Sequence, residues 1–404
     1  MKRLRWFGMM LVLGAWCAPV HAQAPATPPY TISLLTFGPG EIYWERFGHN
    51  AIVVRDNATG EATSYNYGMF DFGEDDFFVN FARGVMTYQA VASRADEDIA
   101  WYAGEGRFVI EQELRLDADQ ALALKRFLDW NVQPDNARYR YDYYTSNCST
   151  RVRDALDDAL GGALRAQLIS PSRGYTYRLL TDALMRAQPL LMGVLDAGLG
   201  PFADRRLSFW DDSFVPMELM AHLREVTVPG ADGAPIALVA AERVLAPART
   251  PVSAEGAPDL RWPFFLAGLA VAGLLYFLCS RHERTPYRRG FAVLAASISF
   301  ACGVAGAILL VLWGLTEHRS AWHNENLFVL SPLCLLLVPA WWRSSRASWQ
   351  PSRFTRSVAA IIAALAAFAL FSKILPWFPQ ANLPWILLLL PVHLVLAASV
   401  LRPR

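Results

Sequence analysis

The chain has 404 residues, 54% hydrophobic and 18% charged, with 37 Lys+Arg against 36 Asp+Glu. The near-neutral balance hides an asymmetry, because residues 23–261 carry 33 acidic against 22 basic side chains, a net charge near −11. So acidic a segment argues against nucleic acid as a partner, since phosphate contacts need clustered cations. The apolar C-terminal third argues against a wholly soluble protein.

The opening "MKRLRWFGMMLVLGAWCAPVHAQA" has three cations, an apolar run and a small-residue site ending at Ala22. It reads as a secretory signal peptide over residues 1–22. Bulky Trp16 beside Cys17 disfavours a lipid-anchored cysteine there. Strands are expected at 30–37, 48–55 and 62–67, the last two joined by the turn "DNATGE". "GMFDFGEDDFFVNFARG" reads as an aromatic-rich loop and short helix, followed by a strand at "YQAVAS" and a helix around 94–103. A further strand is expected at 107–116, then a helix capped by Asp117. An amphipathic helix over 148–160 stops at Gly161-Gly162. Residues 163–225 read as mostly helical, a hairpin turns about "PGADGAP", and a Pro/Ala-rich linker covers 246–261.

Five apolar stretches follow, at roughly 262–280, 290–315, 327–342, 355–375 and 384–401. Each approaches the length of a membrane span, the third being the shortest. The loops "RHERTPYRR" and "WRSSRASWQPSRFTR" and the terminal "RPR" are basic, whereas "TEHRSAWHNEN" and "KILPWFPQANLP" carry few cations. The positive-inside bias places the basic segments in the cytoplasm. Five spans then put the N-terminal domain outside, in agreement with the signal peptide. The expected localisation is a bacterial inner membrane, crossed several times, with that domain in the periplasm.

Of five cysteines, one leaves with the signal peptide and three lie in apolar stretches, so Cys148 alone belongs to the exported segment. In an oxidising compartment an unpaired cysteine is either incidental or a reactive thiol. Cys148 falls in the first turn of its helix, where N–H groups and the helix dipole should lower its pKa and could hold an oxyanion. A thiol nucleophile needs a base. The segment offers His49, at a strand start after Gly48, and His222, whose pattern "MELMAHLREV" reads as a helix-surface position. Pairing of the 48–55 and 62–67 strands through their turn sets Asn66 or Tyr67 opposite His49. Asn66 is the better orienter, since its amide oxygen can accept an imidazole N–H.

The order of His on an early strand and Cys opening a later helix resembles the circularly permuted papain-like (NlpC-type) thiol enzymes. Lecithin:retinol acyltransferase-like proteins belong there, and their "NC" at a helix start is similar to "NCST" here. More closely, "FGHNAIVV", "YNYGMFDF", "YDYYTSNCSTRVRDAL" and "DRRLSFWDDSFVPMEL" resemble the exported domain of the Lnb family. The likeness extends into the membrane part through "TEHRSAWHNENLFVLSP". That family comprises membrane-bound lipoprotein N-acyltransferases. The resemblance implies an α+β papain-like domain over 23–160, a helical extension and hairpin over 161–245, and a five-span membrane domain over 262–404. It also implies His49 and Cys148 as the catalytic pair, with phospholipid as acyl donor and a diacylated lipoprotein as acceptor.

The short exported loop between the second and third spans gathers Glu317, His318, His323, Asn324, Glu325 and Asn326. Polar residues so close to a bilayer are functional candidates. His318, Asn324 and Asn326, together with Tyr67, Asn147 and Ser149 near the thiol, are therefore expected to bind substrate. The His318/His323 spacing matches no familiar zinc signature, and neither metal nor cofactor is expected. Lys373 is expected to snorkel or to meet lipid phosphate. A membrane-tethered cell-wall amidase with the same dyad, or a non-enzymatic envelope scaffold, are the alternative readings.

Overall fold

The computed structural model describes residues 28–249 and 256–402. The signal peptide expected at 1–22 and part of the linker lie outside the described residues. The N-terminal domain is built on one antiparallel sheet. Its strands are β1 (Tyr30–Phe37), β2 (His49–Asp56), β3 (Ala62–Met69), β4 (Thr87–Arg94), β5 (Val109–Leu114), β6 (Arg138–Arg140) and, much later, β11 (Val239–Ala246). Across the sheet the order is β11-β5-β1-β2-β3-β4-β6. Successive side chains of the central strands point to opposite faces. Ile32, Leu34, Ile52 and Val54 thus join one core cluster, and Leu35, Phe37, Ala51 and Val53 another.

Four helices lie among these strands: α1 (Phe77–Arg83), α2 (Ala95–Gly104), α3 (Ala118–Asn131) and α4 (Cys148–Ala159). Asp117 caps α3 as expected, accepting the Gln120 N–H at 2.8 Å. Leu124 and Leu128 of α3 and Val152 and Leu156 of α4 cover the first face; Ile99 and Tyr102 of α2 pack on the second.

Residues 163–225 are less purely helical than their pattern implies. Beside α5 (Ala163–Leu168), α6 (Tyr177–Met185), α7 (Pro189–Gly198), α8 (Phe209–Asp212) and α9 (Pro216–Leu223) stand two small sheets. One pairs β7 (Pro171–Thr176) with β8 (Arg206–Ser208); the other, β9 (Thr227–Pro229) with β10 (Pro235–Ala237), is the expected hairpin. Strand β11 then returns to the main sheet as its outer edge on β5, so this segment is no mere appendage.

The C-terminal domain contains α10 (Arg261–Ser280), α11 (Thr285–Leu315), α12 (Cys334–Arg343), α13 (Arg353–Ser372) and α14 (Leu383–Leu401). Four of them are long and apolar enough to cross a membrane. The exception is the third expected span. Its α12 has 10 residues, about 15 Å at 1.5 Å per residue against a core of about 30 Å. Pro339 lies inside this helix, where its ring removes one backbone donor. A 3-10 turn over Glu325–Phe328 and an irregular stretch carry the chain into α12.

Candidate active site

Asn147 sets the start of α4. Its side-chain oxygen accepts the Thr150 N–H at 2.9 Å, and its own N–H donates to the Thr150 hydroxyl at 2.8 Å. Its amide nitrogen donates to the carbonyls of Tyr143 and Phe214. Both polar atoms of that side chain are therefore taken up by capping and by neighbouring carbonyls, not by substrate as expected. Ser149, fully buried, shares its hydroxyl proton between Asn50 Oδ1 (2.8 Å) and the Ser213 carbonyl (2.7 Å). That bond clasps the second residue of α4 to the second residue of β2.

The residues just before the clasped pair are Cys148 and His49. The Asn50 backbone N–H reaches the thiol, alongside those of Ser149 and Cys148 itself. Gly68, at φ +86°, lets the end of β3 pass: a Cβ there would stand 3.3 Å from the Cys148 Cβ. Tyr102 stacks 5.9 Å from the His49 ring.

Asn66 does hold the His49 ring, though by another register than expected. It pairs with Ala51, two residues past His49, and so is a diagonal neighbour on the same face of the sheet. Its oxygen lies 2.9 Å from His49 Nε2, and its nitrogen donates to Asp98 Oδ2 at 2.8 Å. The Asp98 contact fixes which way the amide points. Nε2 then carries the imidazole proton, and Nδ1 keeps the free lone pair. Tyr67, two residues beyond Tyr65 on the other face, is a core residue. It is buried, with its hydroxyl donating to Asn131 at 2.8 Å.

Electrostatics correct a second expectation. The Cys148 thiol is pushed up to about 11, chiefly by burial, against the three N–H groups and Arg107. A helix N-terminus contributes about 0.3–1 kcal/mol, under one pKa step, whereas burial shifts a group by several. Burial wins here. It also brings His49 down to about 4, with Arg107 adding to the fall and Asn66 and Asp98 opposing it. Near neutral pH the pair is thiol and imidazole, not an ion pair. Arg107 is itself buried, donating to the Gly38 carbonyl at 2.6 Å and lying 4.4 Å from the Tyr102 ring centre.

Asp98, Ser93, Tyr102 and Arg107 escaped the sequence reading. Asp98 sits in the first turn of α2 with Asp96 and Glu97, a run that looks like ordinary helix-end acidity. The lone hint was a carboxylate just after a strand that pairs with β3.

The loop after α11 divides in two. His318 donates from Nε2 to the Phe81 carbonyl at 3.0 Å, stacks on Tyr143, and lines a cavity of about 220 Å³. Arg140, Tyr141, Ser146, Glu317 and Arg319 share that cavity, whose edge at Ser146 is two residues from Cys148. Asn324 and Asn326 are elsewhere, both buried. Asn324 donates to the carbonyls of Ala197 and Gly198, and Asn326 to Ala197, so they fasten α7 and are not cleft residues. Lys373 neither snorkels nor faces lipid phosphate: it pairs with Glu325 and donates to the Gln380 carbonyl.

His222 is buried, with Nε2 2.6 Å from Asp212 Oδ1, and does not sit on the helix surface. Together with Glu218 these groups offer ligand atoms within 4.8 Å of one another, the one such trio among the described residues. Ser172 occupies the second Asp212 oxygen, and the His222–Asp212 bond uses both facing atoms.

Residues 24–183 match the Lnb N-terminal periplasmic domain, and residues 260–402 match the Lnb transmembrane domain. The chain belongs to the Lnb family. It is a membrane protein whose N-terminal domain is periplasmic. No curated protein and no solved structure matched it.

Proposed function

We propose that this Lnb-family protein is a membrane-bound thiol acyltransferase of the bacterial inner membrane. It would move a fatty acyl chain from phospholipid, through a Cys148 thioester, to the N-terminal amine of a diacylated lipoprotein. The observation that carries the proposal is the seating of the periplasmic domain on the outer ends of the spans. The Glu317 N–H donates to Arg83 (2.8 Å), Gly200 donates to Ser320 (2.7 Å), and Trp385 of α14 donates to Asp196 (2.7 Å). An ester carbonyl lies at the headgroup–acyl boundary, and each methylene lifted into water costs about 0.8 kcal/mol. A nucleophile held at that surface avoids lifting two chains, whereas a cell-wall hydrolase needs no such seating.

In the first half-reaction His49 Nδ1 takes the thiol proton as the sulfur attacks the ester carbon. The N–H groups of Asn50, Ser149 and Cys148 face the region where charge develops, with Arg107 behind them. On collapse, the ester oxygen leaves with the proton from His49 as a lysophospholipid. In the second, the amine attacks the thioester, His49 takes its proton, and the thiol is restored as the amide forms. Asn66, held by Asp98, keeps the ring in one tautomer through both halves. A neutral resting pair suits this sequence, because transfer is coupled to attack and no charge waits in a buried site.

The test is mass spectrometry of the purified protein incubated with phospholipid vesicles. A fatty-acyl adduct on Cys148, absent from Cys148→Ala, is expected. Muropeptide cleavage without an adduct would replace the reading with the amidase, and neither product would leave a scaffold.

A further inference from the structure

Helix α1 and the loops near it form an apolar surface that the site does not use. None of the seven residues of α1 is buried. Phe78 is 69% exposed, Phe72 54% and Trp44 43%. These side chains are contiguous: Trp44 meets Phe72 edge-on (6.2 Å), Phe72 stacks on Phe78 (6.3 Å), and Phe77 on Phe81 (6.5 Å). Single exposed apolar residues are ordinary, but a connected aromatic patch marks a contact surface.

Its place in the molecule identifies the occupant. Span α11 ends at Leu315, which is 77% exposed, and two residues later the chain is fastened to α1. Glu317 donates to the Arg83 carbonyl, His318 donates to the Phe81 carbonyl, and the Phe81 ring lies 6.3 Å from the His318 ring. A Cβ at Gly84 would meet the His318 nitrogen at 2.7 Å, so the approach leaves no room for a side chain. The patch is thereby held at the level where a span leaves the hydrocarbon, the depth at which aromatic rings concentrate. The adjoining acidic run Asp71, Glu74, Asp75 and Asp76 makes an acidic macromolecule a poor fit.

We propose that α1 and its flanking aromatics rest in the outer-leaflet surface and contact the acyl region of zwitterionic phospholipid, as a lip of the Cys148 cleft. The patch leads inward: the Phe70 ring packs on Tyr88 (5.1 Å), Tyr88 stacks on Tyr141 (4.2 Å), and Gly68, two residues before Phe70, borders Cys148. That the lip feeds an acyl chain to the thiol rests on the acyl-transfer reading; the lipid contact itself does not.

The test places a photo-crosslinking benzoylphenylalanine at position 78 of the full chain, in nanodiscs of zwitterionic phospholipid. A second variant carries it at Trp130, equally an exposed aromatic (56%) but on α3, which packs on β1 and α4. After irradiation, mass spectrometry should find phospholipid attached at 78 and none above background at 130. No lipid at 78, equal labelling at both positions, or attachment of 78 to a second protein chain would each overturn the proposal. Acylation of Cys148 is read in the same samples. Lipid at 78 without acylation keeps the lip and removes the transfer reading, while acylation without lipid at 78 does the reverse.

Discussion

Two buried histidines of the periplasmic domain make similar hydrogen bonds and face different neighbourhoods. His49 leans on the neutral amide of Asn66 at the end of the sheet where Cys148 opens α4. His222 leans on the carboxylate of Asp212, with Ser172 on its other oxygen and the Phe209 ring 5.0 Å away. The contrast teaches that a held imidazole is placed to serve as a base only where a thiol and a free ring nitrogen coincide. Burial, against the Asn66 hydrogen bond, leaves the His49 ring neutral and able to take a proton.

The widest break between the two sites is expected in activity. Cys148→Ala and His49→Ala should each lower acyl transfer by about 10³-fold or more, and the double variant should be no worse than either single one. Substantial turnover by Cys148→Ala would remove the thiol mechanism. His222→Ala should instead act on stability. It leaves a buried carboxylate without its partner, which costs about 3 kcal/mol, so the melting temperature in detergent should fall. The rate per folded molecule should be unchanged, and a selective loss of rate would give His222 a catalytic part.

The pH dependence sharpens the comparison further. His49 has a folded pKa of about 4 against an ordinary 6.5. The unfolded chain therefore takes up this proton first as pH falls, so the contribution to stability is whole above 6.5 and is lost between 6.5 and 4. The difference amounts to about 3 kcal/mol. Acid titration of unfolding in wild type should show this loss, and His49→Gln should flatten it. Thioester formation, which needs only the neutral Cys148–His49 pair, should stay level from near 4 up toward 11, where the thiol ionises. Asn66→Asp should raise the acid limb of the rate profile, because the new carboxylate stabilises imidazolium. An unmoved limb would mean that His49 does not set it. The smallest effect is expected from Asn324→Ala, which loses hydrogen bonds to Ala197 and Gly198. It should weaken domain seating by about 1–3 kcal/mol, seen as faster proteolysis, while the chemistry of an intact site persists.

Much was legible because it is local. The strands expected at 30–37 and 48–55, the Asp117 cap and the Gly161-Gly162 stop each depend on residues within a turn or two. The candidates Cys148, His49 and Asn66 followed from compartment, residue type and strand pairing. The pairing itself was misjudged: Ala51 faces Asn66, and what survives the shift is only that His49 and Asn66 share a face. Tyr67, one residue along, falls on the opposite face and into the core.

The sequence by itself determined an acidic N-terminal domain, apolar helices after it, and one cysteine placed at a helix start within that domain. Tertiary structure alone decided that Asp98 fixes the amide of Asn66, that the Asn50 N–H faces the sulfur, and that Asn324 binds α7 rather than substrate. It also decided the sign of the Cys148 shift. Capping and periodicity are properties of neighbours in the chain, whereas burial and long-range hydrogen bonding belong to whatever the fold brings alongside. In this molecule the second kind outweighs the first at the thiol, since desolvation exceeds what a helix terminus can supply.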